Sequence, residues 1–398
     1  MNFRFLLFFW IGLWIFLSFG SVCSGKILPP FEIPHYDVIQ EMRSAFYQLR
    51  FDENRAFLQK RIDQTEAPVR ATYQTIFHYM ELTSELGFND SAHYQSFDQE
   101  SDKALQHLTE ALKNEPENPV WQVFLGMVYG LKSGVAMTLH RSYLKAYYYG
   151  ITGVNIFEKI KIAYPQFYDV FLSSGILKIM IVQSSWIIRS VAPILLSSGS
   201  LEEGTAHLDL VIQRGTYARE EGRLVHLFLT WGEVPSPLRV KSIRHLLILL
   251  RKYPENIQLY YFIAKGYWQM GRYRQANQYA TIGIHQLSQS NSHFIKRHGV
   301  ALKAFLLRYQ YRYLGIQDQW ENLYAKTNQT PDISGVTQAY HAYALRKLNR
   351  DKEATDLANQ VLKKLNKNNL SMPFFVSPYP ISMENSLKNF VQKYVLEK

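Results

Sequence analysis

The spacing of apolar residues is the feature that most limits how this chain can fold. From Tyr36 onward, large apolar side chains recur every three or four positions, as at Leu105, Leu108 and Leu112, which is the period of one face of an α-helix. No run of alternating Val, Ile or Thr is bounded by Asn-Gly or Asp-Gly turns, and a sandwich or barrel would need such turns. The sequence therefore predicts an all-α protein.

The first 25 residues form a separate segment. Met1 to Arg4 is short and basic, Phe5 to Phe19 is almost entirely apolar, and Gly20 to Gly25 is small and polar, which is the order of regions in a secretory signal peptide. The apolar run is shorter than the roughly 20 residues that span a bilayer, so cleavage is favoured over retention as an uncleaved anchor. Lipid attachment at Cys23 is the third alternative, although the bulky Val22 before it is atypical. We expect an exported protein, periplasmic or associated with the cell envelope.

The rest of the chain divides into three predicted regions. Residues 26–35 form a proline-rich spacer, residues 36–370 a helical-repeat domain, and residues 371–398 a tail. Proline fixes φ and removes an amide donor, so the prolines of the spacer and the tail interrupt helices. After Ile381 the apolar residues return to one helix face, which predicts a final helix that caps the array.

One internal segment is apolar enough to suggest a second membrane span. It runs from Ile176 to Leu196 and has Arg189 in its central part. An arginine near the centre of a span costs about 2.5–3.5 kcal/mol on insertion. We therefore predict one or two helices buried inside the array.

Small residues at fixed positions suggest that the helices are paired. Between about Ile257 and Gln289, a first helix is followed by a turn and by a second helix rich in small side chains. The residues that carry this pattern are Tyr260, Ile263, Ala264 and Tyr267, then Gly271 and Tyr273, then Ala276, Ala280 and Gly283. A partial unit contains Ala104, Leu108, Ala111 and Pro116, and another runs from Gln338 to Leu365.

This pattern resembles the tetratricopeptide repeat (TPR) family. The resemblance implies an irregular TPR-like right-handed superhelix, a solenoid of antiparallel helix pairs. A leader followed by degenerate helical repeats is similar to the layout of many exported bacterial TPR proteins. Pro116 and Pro165 are further apart than the usual 34-residue repeat, so the unit between them should contain a lengthened helix or an insertion.

No motif for catalysis, cofactor binding or metal binding is recognisable. The chain has no phosphate-binding loop, no nucleophile elbow and no His-Glu-x-x-His pair,. His293 and His298 are the closest pair of histidines, and their separation of five places them on different helix faces. We therefore predict a non-enzymatic protein with no catalytic residue, no metal and no cofactor.

Positive charge is concentrated in the C-terminal half. The formal net charge is +11. The segment from Val234 to Gln317 contains thirteen Lys or Arg residues and one acid, Glu255, whereas the segment from Asp90 to Glu117 contains seven acids and two lysines. Because each repeat contacts mainly its neighbours, we expect the C-terminal half to be electropositive.

The TPR resemblance and the charge together indicate a binding surface. In TPR arrays the first helices line a concave groove, and in the best unit a lysine between tyrosine and amide side chains would suit an extended or acidic peptide. The predicted partner-binding residues are Gln258, Tyr261, Lys265, Trp268, Arg272 and Arg274.

The expected function is that of a non-enzymatic scaffold or adaptor that binds a protein or peptide partner in a cell-envelope assembly. The alternative is binding of the basic half to an anionic surface such as membrane lipid, lipopolysaccharide or a wall polymer. Export argues against nucleic acid as the partner, although the charge would fit it. The sequence leaves the oligomeric state and the identity of the partner open.

Overall fold

The computed structural model describes residues 30–84, 91–138, 142–183, 200–230, 234–329, 335–367 and 383–397. These residues form helices joined by turns, with no strand among them, so the predicted all-α class is confirmed. The leader, the lipidation candidate Cys23 and most of the proline-rich spacer lie outside the described residues. The chain divides into two compact units, Met1–His226 and Leu227–Lys398, and each is described by itself.

The described helices have the following bounds. In the first unit they are α1 (Tyr36–Tyr47), α2 (Phe51–Asp63), α3 (Ala67–Ser84), α4 (Ser91–Asn114), α5 (Pro119–Thr138), α6 (Tyr143–Ala163), a 3-10 turn (Tyr168–Val170), α7 (Phe171–Gln183), α8 (Leu201–Arg214) and α9 (Arg219–Val225). A 3-10 helix covers His226–Thr230. In the second unit they are α10 (Ser236–Lys252), α11 (Ile257–Gln269), α12 (Tyr273–Gln289), α13 (His293–Ile316), α14 (Trp320–Gln329), α15 (Val336–Lys347), α16 (Asp351–Lys367) and α17 (Met383–Val391), followed by a π-helical turn (Gln392–Leu396).

Helices of the second unit pack in neighbouring pairs. Each helix from α10 to α17 contacts the next one along the chain, and helices joined by a short turn in this way run antiparallel. The first helices of successive pairs also make contacts, since α11 contacts α13 and α13 contacts α15. Side chains on these helices can therefore meet although they are far apart in sequence.

Small residues bring α11 and α12 close together. Ala276 and Ala280 are completely buried, and a Cβ atom on Gly283 would lie only 2.9 Å from the Cβ atom of Tyr260. The turn between the helices contains Gly271 at a φ of +71°, a conformation that glycine adopts without strain. The helix–turn–helix predicted over residues 257–289 is confirmed.

The first unit contains the lengthened pair that the spacing of prolines predicted. Helix α5 has 20 residues and α6 has 21 residues. The two helices approach closely at Gly126 and Gly153, where a Cβ atom on Gly153 would lie 2.9 Å from the carbonyl oxygen of Gly126. Lengthened helices therefore account for the wide spacing.

Residues from the two ends of the first unit are in contact. The hydroxyl of Tyr217 donates a hydrogen bond to the carbonyl of Phe31 at 3.0 Å. The guanidinium of Arg43 on α1 lies 3.8 Å from the carboxylate of Glu220 and 3.6 Å from that of Glu221, both on α9, and all three side chains are at most 4% exposed. The expectation that each helix contacts mainly its sequence neighbours is incomplete here, because α1 also packs at the far end of its unit.

One buried carboxyl organises the segment that leads into α9. Asp169 accepts hydrogen bonds from the backbone N–H groups of Thr216 at 3.0 Å, Tyr217 at 2.9 Å and Ala218 at 2.6 Å. Burial raises the pKa of Asp169 to about 6, although the three N–H donors act in the opposite direction. A turn beside the start of α9 is thus held by a side chain from much earlier in the chain.

No helix among the described residues is long and apolar enough to cross a membrane. Within the apolar segment from Ile176 to Leu196, residues 176–183 belong to α7, where Ile176 and Ile179 are completely buried. Residues 184–199 lie outside the described part of the chain.

The C-terminal helix α17 packs against α15 and α16. It buries Leu387 and Val391, and the π-helical turn after it buries Val395. The ring of Phe390 lies 4.7 Å from that of Tyr340, measured between centroids. The part of the predicted tail that contains its three prolines lies outside the described residues.

Candidate functional site

The predicted binding residues lie on α11 and at the turn that follows it. Helix α11 starts at Ile257, where the side chain of Asn256 accepts a hydrogen bond from the N–H of Gln258 at 3.1 Å and so caps the helix. Tyr261, Lys265 and Trp268 follow at spacings of four and three, which place them along one face of the helix.

The six predicted residues differ in exposure. Gln258 and Tyr261 are buried, Lys265 and Trp268 are half-buried, and Arg272 and Arg274 are exposed. The structure therefore brings Tyr261, Lys265 and Trp268 together on α11. It places Gln258 in the buried first turn and the two arginines at the exposed start of α12.

Helix α13 supplies partners that the sequence analysis missed. The ring of Tyr261 lies 5.3 Å from that of Phe305 and 6.1 Å from that of Tyr309. The ring of Trp268 lies 5.7 Å from that of Tyr309, and the guanidinium of Arg312 sits 5.1 Å from the centre of the Trp268 ring. The aromatic face of α11 thus continues onto α13.

Two further cations lie among these rings. The Nζ atom of Lys265 is 6.0 Å from the centre of the Tyr261 ring, and Arg308 on α13 is close enough for its positive charge to act on Lys265 and Tyr309. The pKa of Lys265 is lowered well below its usual value, first by burial and second by the positive charge of Arg308. An anion placed next to these groups would favour the charged form of the lysine.

We refer to Tyr261, Lys265, Trp268, Arg308, Tyr309 and Arg312 as the aromatic–cation cluster. Burial raises the pKa of Tyr309 to about 12 and that of Tyr261 well above its usual value. Both hydroxyls therefore stay protonated at neutral pH and can donate hydrogen bonds.

The chemistry of this cluster is suited to recognition. Guanidinium and ammonium groups form charge-assisted hydrogen bonds with carboxylates or phosphates, and aromatic rings supply apolar contact area with defined geometry.

A sequence signal for the missed residues exists. Phe305, Arg308, Tyr309 and Arg312 are spaced by three, one and three positions, which is the pattern of one helix face. The pattern does not show which helix this face of α13 packs against, because that choice depends on how the helix pairs pack together.

No family model, curated protein or solved structure matches this chain. A functional assignment therefore depends on the geometry of the chain itself.

Proposed function

We propose that this chain is a non-enzymatic scaffold or adaptor of the TPR type, exported to the periplasm or cell envelope, that binds a protein or peptide partner in an envelope assembly. The observation that carries the proposal is the aromatic–cation cluster, where three cations and three aromatic rings meet on α11 and α13. The neighbouring helix pairs with buried small residues support a TPR-like superhelix. The leader-like residues 1–25 support export.

The cluster supports a particular chemistry for the proposed partner. An acidic side chain or a terminal carboxylate would complement Lys265 and Arg308, and Arg308 and Arg312 can bind a carboxylate in a bidentate manner. The rings of Tyr261, Trp268 and Tyr309 would contact apolar parts of the same peptide. The partner should therefore be an acidic, extended segment with at least one apolar side chain.

The experiment compares loss of charge inside and outside the cluster. The double variant Lys265→Met, Arg312→Met removes two cations from the cluster. The control Arg244→Met, Lys296→Met removes two exposed cations elsewhere in the second unit. Partners are captured from the native source at low and moderate salt, identified, purified, and titrated against all three proteins.

The proposal expects the cluster variant alone to bind the purified partner at least about tenfold more weakly, since each charge-assisted hydrogen bond contributes about 1.5–3 kcal/mol. Changing the acidic residues of the partner to amides should produce the same loss. Equal binding by the wild type and the cluster variant would refute the assignment of the site.

A second candidate function follows from the exposed cations of the second unit. They include Arg244, Arg251, Lys252, Arg272, Arg274 and Lys296. They favour adsorption to an anionic surface such as phospholipid, lipopolysaccharide or a wall polymer. In that case both double variants should bind anionic vesicles with the same reduced affinity, and salt should release all three proteins because it screens exposed charges.

A further inference from the structure

A polar cavity of about 330 Å³ lies in the first unit between α4, α5 and α6. Small-molecule sites commonly have volumes of about 300–1,000 Å³, so this cavity can hold a compact ligand. Its lining combines charges of both signs with two tyrosine rings. The residues that matter are Tyr94, Asp98, Asp102, Lys132, Lys145 and Tyr149.

Lys132 fixes two carboxylates on one wall of the cavity. Its side chain is 5% exposed, and its Nζ atom donates hydrogen bonds to Asp102 Oδ1 at 2.7 Å, Ser101 Oγ at 3.0 Å and Asp98 Oδ1 at 3.2 Å. Burial opposes the charged form of Lys132, but its hydrogen bonds and ion pairs with the two aspartates raise its pKa above the usual value. An ammonium group has three protons to donate, so Lys132 is both charged and saturated.

The two carboxylates keep capacity for a ligand. The described contacts of Asp98 and Asp102 with Lys132 both end on Oδ1, and each carboxylate has a second oxygen that accepts hydrogen bonds. Their side chains are 47% and 66% exposed. With two negative charges and one positive charge, this wall has a net charge of −1.

The opposite charge is provided by α6. Lys145 lines the same cavity and is exposed, and it forms no ion pair with any residue that the structure describes. The ring of Tyr149, one turn further along α6, lies 5.6 Å from the Nζ atom of Lys132. The cavity is therefore bipolar, with a negative wall on α4 and a positive group on α6.

We propose that this cavity binds a small zwitterion that has a primary ammonium group and a carboxylate, as an amino acid does. The ammonium group would donate to Oδ2 of Asp98 and Asp102, and the carboxylate would accept from Lys145. A simple amine would gain no attraction from Lys145, and a simple carboxylate would be repelled by the aspartates. This inference is independent of the adaptor function, because it concerns the other unit.

Calorimetric titration of the full chain with a series of zwitterions tests the proposal. Glycine, β-alanine, 4-aminobutyrate and 6-aminohexanoate keep both charges and change only the distance between them. Each is compared with the amine and the carboxylate of the same chain length. At least one zwitterion should bind about tenfold more tightly than both of its singly charged analogues.

Two variants and two controls locate the site. Asp102→Asn should weaken binding of the preferred zwitterion about tenfold, and Lys145→Gln should reduce it to the level of the corresponding amine. Glu110→Gln on α4 and Lys159→Gln on α6 change exposed residues outside the cavity and should bind normally. Because Asp102 holds a buried lysine, circular dichroism must show that its variant is folded; Lys145 has no such role, so its variant remains informative.

Three results would overturn the proposal. The first is no binding of any zwitterion at concentrations up to about 10 mM, where even a Kd in the millimolar range would be detected. The second is an amine that binds as tightly as its zwitterion, which would make the cavity a cation site. The third is unchanged binding by the Lys145→Gln variant.

Discussion

The buried carboxyl of Asp169 predicts a specific dependence of stability on pH. Burial raises its pKa from 3.8 to about 6 against three backbone N–H donors. Between these two pH values the folded chain holds a proton that the unfolded chain has lost, so the contribution of this group to the free energy of unfolding falls as pH rises. The shift of about two units corresponds to about 3 kcal/mol in total. About 1.4 kcal/mol of this contribution lies between pH 5 and pH 7.

The variant Asp169→Asn isolates this contribution. The asparagine side chain has no group that titrates in this pH range. Its oxygen can still accept hydrogen bonds from the N–H groups of Tyr217 and Ala218, but its NH2 group would face the N–H of Thr216, where Asp169 has an acceptor. Urea unfolding of the wild type and the variant is followed by far-UV circular dichroism at pH 5, 6 and 7. The free energy of unfolding of the wild type minus that of the variant should increase by about 1.4 kcal/mol from pH 7 to pH 5. Other titrating groups are common to both proteins and cancel in this difference.

Two results would refute the reasoning. A difference that does not change with pH would mean that burial has not raised the pKa of Asp169. A difference that shrinks on acidification would mean that the three N–H donors outweigh burial. As a second variant, Asp169→Ala also removes the titration and should show the same pH trend. It should cost about 3 kcal/mol or more at pH 7, because it leaves three buried donors without an acceptor.

Four further changes test the packing and the cluster. Gly283→Ala places a Cβ atom 2.9 Å from that of Tyr260 and should lower the free energy of unfolding by about 1–3 kcal/mol; an unchanged urea midpoint would contradict the close approach of α11 and α12. Arg43→Met removes a buried cation that lies between two buried carboxylates of α9 and should cost about 3–5 kcal/mol in urea unfolding, so a loss below about 1 kcal/mol would contradict the buried ion cluster. Lys265→Met removes a half-buried cation that lies near Arg308, and it should therefore leave the chain as stable as before or more stable at pH 7. Burial and Arg308 lower the pKa of the lysine. The free energy of unfolding of the wild type should therefore rise relative to that of this variant as pH increases toward 10. The opposite trend in urea unfolding would contradict the lowered pKa of Lys265. Deleting residues 371–398 removes α17 and exposes apolar side chains of α15 and α16, so the melting temperature and the solubility should both fall, whereas unchanged values would contradict a capping role.

The helix pairs could be predicted from the sequence because their signal is local. Ala276, Ala280 and Gly283 are spaced along one helix face, and a close helix partner is the simplest reason for small side chains at those positions. Gly271 marks the turn between the helices for an equally local reason, its positive φ. Each of these features depends on a few consecutive residues.

Half of the aromatic–cation cluster could be predicted in the same way. Tyr261, Lys265 and Trp268 share a face of α11, and the sequence alone places them together. Arg308 and Arg312 join them only because α13 packs against α11 in one particular register. No local pattern specifies that register, and the side-chain contacts between successive first helices determine it.

The end-to-end contact of the first unit had no sequence signal at all. Arg43 reads as an ordinary helix cation, and Glu220 and Glu221 read as acids that suit a helix N-terminus. They are buried together because the helices between them bring α1 and α9 next to each other. Contacts of this range cannot be read from helix periodicity, which reports only on residues within a few turns.

The same contact can form only late in the synthesis of the first unit. The guanidinium of Arg43 donates to the carbonyl of Tyr217, which is 174 positions later in the chain. At a translation rate of about 5–20 residues per second, roughly 9–35 s pass between the synthesis of these two residues. Helices of the second unit contact mainly helices made immediately before or after them, so they can gain partners as they emerge. In the first unit, by contrast, α1 can make its contacts with Tyr217, Glu220 and Glu221 only after α9 has been synthesised, so the side chain of Arg43 stays without these partners for that interval.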